Sequence, residues 1–264
     1  AYDEELCQEV VLKKYRWEHG SLDNEVINKR DYYKKQRKAF LNEARILSSL
    51  FDIKEVVKVL DYFEERENAY IVMEFVQGIS LRQYLESRNQ PMSFTEAWNF
   101  LLPVMEALEK VHQNKLIHRD ISPDNFIIKE DGSIKLLDFG SAREYAEEKT
   151  MTVLVKKGYA PPEQYSRKGK QGPWTDIYSI CATLYEMITG VIPQPAMERL
   201  KADKLYLPSS YGCDITPLQE KILMKGLALD YKKRYKDIAE LKNSFFPEKQ
   251  ERQKKNKKYG ILIC

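Results

Sequence analysis

The sequence predicts an α+β fold in which strands come early and helices late. Strand-like runs at Val10–Lys13, Glu55–Phe63 and Ala69–Phe75 all fall within the first 76 residues. From residue 81 onward, apolar residues recur at three- and four-residue spacing, the period of an amphipathic helix. The chain has 264 residues, 43% of them hydrophobic, ample for a sizeable core in one or two lobes.

Taken in order, Gln8 to Lys14 reads as a strand, Val10-Val11-Leu12-Lys13, in which a lysine closes an apolar run. A helix spans roughly Asp31 to Leu50, with an apolar stripe of Phe40, Ala44, Leu47 and Leu50. Glu43 falls on that same face by its i+3 and i+4 spacing. A carboxylate on a buried stripe is costly unless paired, so Glu43 either has a cationic partner or sits at the stripe's margin in water. The strands at 55–63 and 69–75 are joined by the acidic turn Glu64 to Asn68. Gly78 and Ser80 then open a short helix, Leu81 to Ser87.

Ser93-Phe94-Thr95-Glu96 reads as a capping box opening a helix to about Gln113, with a kink expected at Pro103. Its buried stripe is Phe100, Leu101, Val104, Met105, Leu108 and Val111, and His112 reads as a structural residue at its end. Trp174-Thr175-Asp176 begins a helix to Thr189 that is apolar nearly all round, so it belongs in the middle of a domain. Thr216-Pro217-Leu218-Gln219 starts another helix, with cap, N1 proline and N3 glutamine in place.

Charge and cysteine usage exclude several classes. The formal net charge is +3, and residues 248–258 hold six basic and two acidic side chains, so the rest of the chain is close to neutral. No nucleic-acid-binding face is indicated. Cys7, Cys181, Cys213 and Cys264 show neither metal-ligand spacing nor a disulfide framework, which fits a reducing cytosol. No signal peptide is visible.

The chemistry concentrates between His118 and Gly140. The run His118-Arg119-Asp120-Ile121-Ser122-Pro123-Asp124-Asn125 is followed by two apolar runs around a turn at Asp131-Gly132, then Asp138-Phe139-Gly140. Asp120 can accept a proton, while Asn125 and Asp138 offer hard oxygen ligands suited to magnesium bridging phosphates. Together these motifs resemble the catalytic and metal-binding core of protein kinases, and the resemblance extends from about Val10 to Leu241.

That resemblance implies a two-lobed protein-kinase-like fold. A small β-rich lobe with the hinge strand covers 1–76, a larger helical lobe covers 77–246, and a basic tail covers 247–264. It implies ATP and Mg2+ as cofactors and a protein serine or threonine hydroxyl as acceptor. Ser/Thr specificity follows from Pro123 and Asp124. Lys13 would reach the α- and β-phosphates and pair with Glu43. Val11, a departure from the usual alanine, would roof the adenine, with Met73 behind it, Ile127 below it and backbone groups of Glu74 and Val76 pairing with it. Asp120 would orient the substrate hydroxyl, with Asn125 and Asp138 holding metal. His118 would pack beneath Phe139, and Arg119 would await a phosphate on the activation segment, where Thr150 and Thr152 are the expected phosphorylation sites. Asp176 would hold the catalytic loop and Arg234 would pair with Glu163. Autophosphorylation would involve a dimer.

Three departures shape the expectation. No glycine occurs before Gly20, so the family's glycine-rich loop is missing and the small lobe is incomplete; truncation at the N-terminus is the simplest account. Ser122 stands where a γ-phosphate-binding lysine is usual, and Lys156 stands where a threonine is usual. Lys156 is therefore expected to supply the positive charge from the activation segment, a swap similar to that of bacterial kinases. Finally, the basic run gives way to Gly260-Ile261-Leu262-Ile263-Cys264, which looks like a juxtamembrane segment leading into a transmembrane helix beyond Cys264. That places the protein in the cytoplasm, at the cytoplasmic face of the membrane. Two rivals compete: a kinase-like scaffold of weak or no activity, favoured by the missing loop, and a small-molecule phosphotransferase, disfavoured by Pro161-Pro162-Glu163 and Arg234.

Overall fold

The computed structural model describes residues 1–5, 7–15, 34, 37–38, 40–42, 44–66, 68–138, 143–144, 155–166 and 169–245. The early strand runs assemble into one antiparallel sheet of β1 (Tyr2–Asp3), β2 (Gln8–Tyr15), β3 (Val59–Glu65) and β4 (Asn68–Glu74), in the order β1-β2-β4-β3. Val11 lies opposite Met73 and Lys13 opposite Ile71. Side chains alternate along a strand and partners across a ladder share a face, so Val11, Lys13, Ile71 and Met73 project from one side of the sheet. A helical run at 44–48 (α1) follows the expected stripe: Ala44, Leu47 and Leu50 are buried.

One expected strand starts late. Residues 55–57 do not extend β3; they lie against β8 (Ile134–Leu136) instead. The Val57 N–H donates to the Leu136 carbonyl at 3.0 Å, and the Leu136 N–H donates to the Glu55 carbonyl at 2.6 Å. Backbone groups engaged with the second lobe cannot also continue the ladder of the first.

The second lobe begins with β5 (Ile79–Ser80), which joins β7 (Phe126–Ile128) and β8 in a three-stranded sheet, order β5-β7-β8. Gly78, at φ +157°, lets the chain enter this sheet, because a Cβ there would fall 2.1 Å from the Ile128 carbonyl oxygen. A small second sheet pairs β6 (Leu116–Ile117) with β9 (Arg143–Glu144). The helices are α2 (Leu81–Ser87), α3 (Phe94–Gln113), α4 (Pro173–Thr189), α5 (Ala196–Arg199), α6 (Pro217–Gly226) and α7 (Ile238–Phe245).

Helix starts follow local side-chain chemistry. Reciprocal capping boxes close on Ser80 with Gln83 and on Thr216 with Gln219. At α3 only half of the expected box forms. Ser93 Oγ accepts from the Glu96 N–H at 3.2 Å, but the Glu96 carboxylate is taken by Arg88 at 2.8 and 3.2 Å. A full charge pair outbids a single neutral N–H for that carboxylate. The helix runs unbroken across Pro103. Every residue of α4 from Thr175 to Thr189 is buried, as its all-round apolar character requires, and Gly190 ends it at φ +72°.

Among the described residues, no helix is long and apolar enough to cross a membrane. The basic tail and Cys264 lie outside the described residues.

Candidate functional site

The loop that starts at His118 hangs from the first turn of α4. Asp176, fully buried there, accepts from the His118 and Arg119 N–H groups and from His112 Nε2, each at 2.8 Å. Burial alone would raise the Asp176 carboxyl, but the hydrogen bond and charge of His112, with the other donors, outweigh it and hold the group below the ordinary carboxylate range. His112, read as a structural residue at the end of α3, is one of the three groups that fix this anchor.

His118 is fully buried and its pKa is lowered, first because burial disfavours its charged form. Its contacts select one neutral tautomer. Nε2 donates to the Leu137 carbonyl at 2.9 Å, while Nδ1 accepts from the Asp120 N–H at 3.2 Å. The ring therefore ties the strand before Asp138 to the backbone of Asp120. Arg119 at φ +71° and Asp138 at φ +51° both occupy the left-handed region. Non-glycine residues there cost roughly 1–3 kcal/mol each, and these two flank the site that the fold holds in place.

Asp120 is held from the side by Asn125, whose Nδ2 donates to the Asp120 carbonyl at 2.6 Å and to its carboxylate at 2.9 Å. The β7–β8 hairpin then returns the chain through the turn at Gly132 (φ +77°) to Asp138. There Lys13 arrives from the other lobe, with Nζ 2.9 Å from Asp138 Oδ1. This contact bridges a separation of 125 residues and closes the cleft between the lobes at its charged end. Glu43 and Phe139, the expected partners of Lys13 and His118, lie outside the described residues, as do Thr150 and Thr152.

The expected adenine-site residues lie on strands of both lobes and on the connection between them. Val11 and Met73 face each other across β2 and β4, and Ile127 is half-buried on β7 of the second lobe. Val11 remains 39% exposed, which leaves its surface open to a ligand. Glu74 ends β4 and its N–H donates to the Lys58 carbonyl at 3.0 Å; Val76 follows in the connection between lobes.

On the other side of Asp120, Lys156 is delivered to Ser122: Nζ donates to Oγ at 2.8 Å and lies 3.4 Å from Asp124 Oδ2. The two departures read from the sequence therefore meet in space. Asp124 also faces Arg82 Nε at 3.7 Å, and the Arg82 guanidinium bonds Glu186 and, at 2.6 Å, the Tyr159 hydroxyl. Tyr159 in turn donates to Glu186, and burial followed by the neighbouring carboxylate pushes its own pKa up. Gln164 Nε2 donates to the Arg119 carbonyl at 2.7 Å. Beneath the segment, Arg234 and Glu163 form a buried two-pronged pair. The Arg82, Tyr159, Glu186 and Gln164 contacts were missed from sequence. Glu186 carried a usable signal: past the first turn it is the one carboxylate on a largely apolar helix, the same reasoning that picked out Glu43.

A sheet-rich lobe, a helical lobe and a carboxylate loop between them define a protein-kinase-like domain. Residues 12–237 match the protein kinase domain family. Serine/threonine-protein kinase PrkC of Bacillus subtilis (strain 168) is 33% identical over 256 residues, covering 91% of this chain and 37% of that protein. Serine/threonine-protein kinase PknB of Mycolicibacterium smegmatis is 32% identical over 185 residues, 66% of this chain and 29% of that protein. The solved structure of PpkA-294 in its apo form superposes with a TM-score of 0.74 at 28% identity, over 92% of this chain and 89% of that one. The chain belongs to the protein kinase family. It spans well under half the length of these curated relatives.

Proposed function

We propose that the chain carries the catalytic domain of a serine/threonine protein kinase, which transfers the γ-phosphoryl group of ATP to a protein hydroxyl. The observation that supports this most is the Lys13–Asp138 contact at 2.9 Å, which places a small-lobe cation on the large-lobe carboxylate beside Asp120 and Asn125. The donor set fits magnesium and a nucleotide: hard oxygens on Asn125 and Asp138, cations at Lys13 and Lys156, and apolar walls at Val11, Met73 and Ile127. Magnesium, when bound there, would neutralise phosphate charge and orient the triphosphate.

The remaining work falls to the chain's own groups. Glu74 and Val76 would pair with adenine through their backbone; the Glu74 N–H is already taken by Lys58, which leaves its carbonyl for that role. Asp120, with its carboxylate oriented by Asn125, would take the proton of the acceptor hydroxyl. Lys156 would balance charge on the transferred group from the position usually filled from the catalytic loop. Arg119, buried and held by Asp176 and Gln164, would couple the loop to phosphorylation of the activation segment at Thr150 or Thr152. A protein substrate is supported by the ordered 155–166 segment, pinned to the large lobe through Tyr159, Glu163 and Gln164. The reading takes 1–76 and 77–246 as the two lobes.

The test is magnesium-dependent transfer of labelled phosphate to protein acceptors and to small hydroxylated acceptors, for the wild type and for Asp120→Asn. Transfer to protein that falls by about a hundredfold or more in Asp120→Asn is the expected result. Equal silence of both proteins across all acceptors overturns it.

A further inference from the structure

Behind the hinge, Glu74 does something its backbone role does not require. Its carboxylate Oε1 accepts from Lys135 Nζ at 2.5 Å and from the Lys58 N–H at 2.8 Å. Lys135 Nζ also donates to the Val56 carbonyl at 3.2 Å. The lysine side chain is only 11% exposed and the glutamate 26%, so the two charges meet largely out of water, with further hydrogen bonds to share them.

Where these residues sit gives the pair its reach. Glu74 is the last residue of β4, next to the connection between the lobes. Lys135 lies at the centre of β8, directly opposite Ile127 on β7, so its stem shares a face with Ile127. Three residues after Lys135 the same strand delivers Asp138, and the Leu137 N–H in between donates to the Asn125 carbonyl at 2.8 Å. One ion pair thus touches the hinge end of the small lobe, the floor strand of the cleft and the strand leading to the metal-type carboxylate. The 55–58 segment, bonded to β8 on one side and to Glu74 on the other, completes the connection.

We propose that Glu74 and Lys135 form a positioning pair that sets the distance between the hinge and the cleft floor, and through it the affinity for the adenine nucleotide. This rests on the reading of Val11, Met73, Glu74, Val76 and Ile127 as the adenine site. Neither side chain touches the nucleotide. Both act through what they hold: Glu74 through its own backbone, Lys135 through its neighbour Ile127.

The experiment compares wild type, Lys135→Met, Glu74→Gln, the double variant Glu74→Gln/Lys135→Met, and Lys135→Arg. ATP binding is read by titration, and KM for ATP and kcat by phosphate transfer. Each single loss is expected to weaken ATP binding and raise KM about five- to tenfold, the scale of one net hydrogen bond, with kcat within about twofold. The double variant should be no worse than the singles, and Lys135→Arg should recover most of the affinity. A merely structural role lowers thermal stability and the active fraction, hence kcat, while leaving KM in place; that pattern overturns the proposal. Where a single variant fails to fold because a charge is left buried, the double variant, which buries none, decides: wild-type affinity in it overturns the proposal. A wild-type protein that binds no ATP sinks the nucleotide-site reading and this proposal with it, whereas wild-type binding with unchanged variants sinks the proposal alone.

Discussion

Arg234 grips Glu163 with both ends of its guanidinium, at 2.7 and 3.0 Å, and neither side chain is more than 6% exposed. The arginine spends its remaining donors on the carbonyls of Ala228, Leu229 and Trp174, and its plane lies 4.9 Å over the Tyr178 ring. Removing it would strand a buried carboxylate. Arg234→Met is expected to cost about 3–5 kcal/mol of unfolding free energy in urea, and adding Glu163→Gln should return part of that loss. Lysine cannot substitute, because one ammonium cannot fork to two carboxylate oxygens and three carbonyls.

Lys156 and Lys157 are adjacent in sequence and unequal in place. Lys156 reaches Ser122 and Asp124, whereas Lys157 is exposed. Lys156→Ala should reduce turnover by about tenfold or more, and Lys157→Ala by no more than about twofold, as befits a charge-assisted contact against a surface side chain. Steady-state phosphate transfer checks this; equal small effects would refute the charge-supply role of Lys156.

Stability should fall on the acid side in two stages. His118 has a folded-state pKa below its ordinary value of 6.5, so as pH drops through that value the unfolded chain takes up a proton that the folded chain refuses. Its contribution is therefore complete above 6.5 and is lost toward the lowered folded value. Asp176, also lowered, adds a second loss below its ordinary 3.8. Chemical denaturation between pH 7 and 5 should show a slope of up to about 1.4 kcal/mol per pH unit from His118. His118→Asn should flatten that slope even though it lowers the overall stability.

Gly78 has no room for a side chain, with the Ile128 carbonyl oxygen 2.1 Å from where a Cβ would stand and Ile127 Cγ2 at 2.8 Å. Gly78→Ala should displace β5 from β7 at a cost of about 2 kcal/mol or more. Thermal melting reads the cost. The displacement itself should appear as faster amide exchange at Ile79 and Ser80.

The fold class was legible because the long strand runs fall in the first 76 residues and the long helical stripes after residue 81, and because the caps at Ser80 and Thr216 follow purely local chemistry. Distances within the site were less so. Ser122 and Lys156 could be matched as complementary departures, and they do meet. The role of His112 could not be read, since its partner Asp176 is 64 residues away. Lys135, between Ile134 and Leu136, has the alternation of a strand with one wet face, so nothing local announced a part-buried ion pair. The true start of β3 was hidden for a similar reason: residues 55–57 have strand character, but their backbone partners belong to a hairpin some 80 residues later. Capping is decided within a few residues, whereas competition for a backbone donor is decided by the whole fold.

The seam at residues 55–58 also bears on how the molecule melts. Two lobes joined only by a connecting strand would be expected to unfold as separate units, each with its own midpoint. Here the small lobe's β4, the 55–58 segment and the large lobe's β8 share one continuous run of backbone bonds, so neither lobe can lose its sheet without exposing donors of the other. Heat should therefore dissolve both in a single cooperative event. Differential scanning calorimetry would record it as one endotherm whose calorimetric and van 't Hoff enthalpies agree.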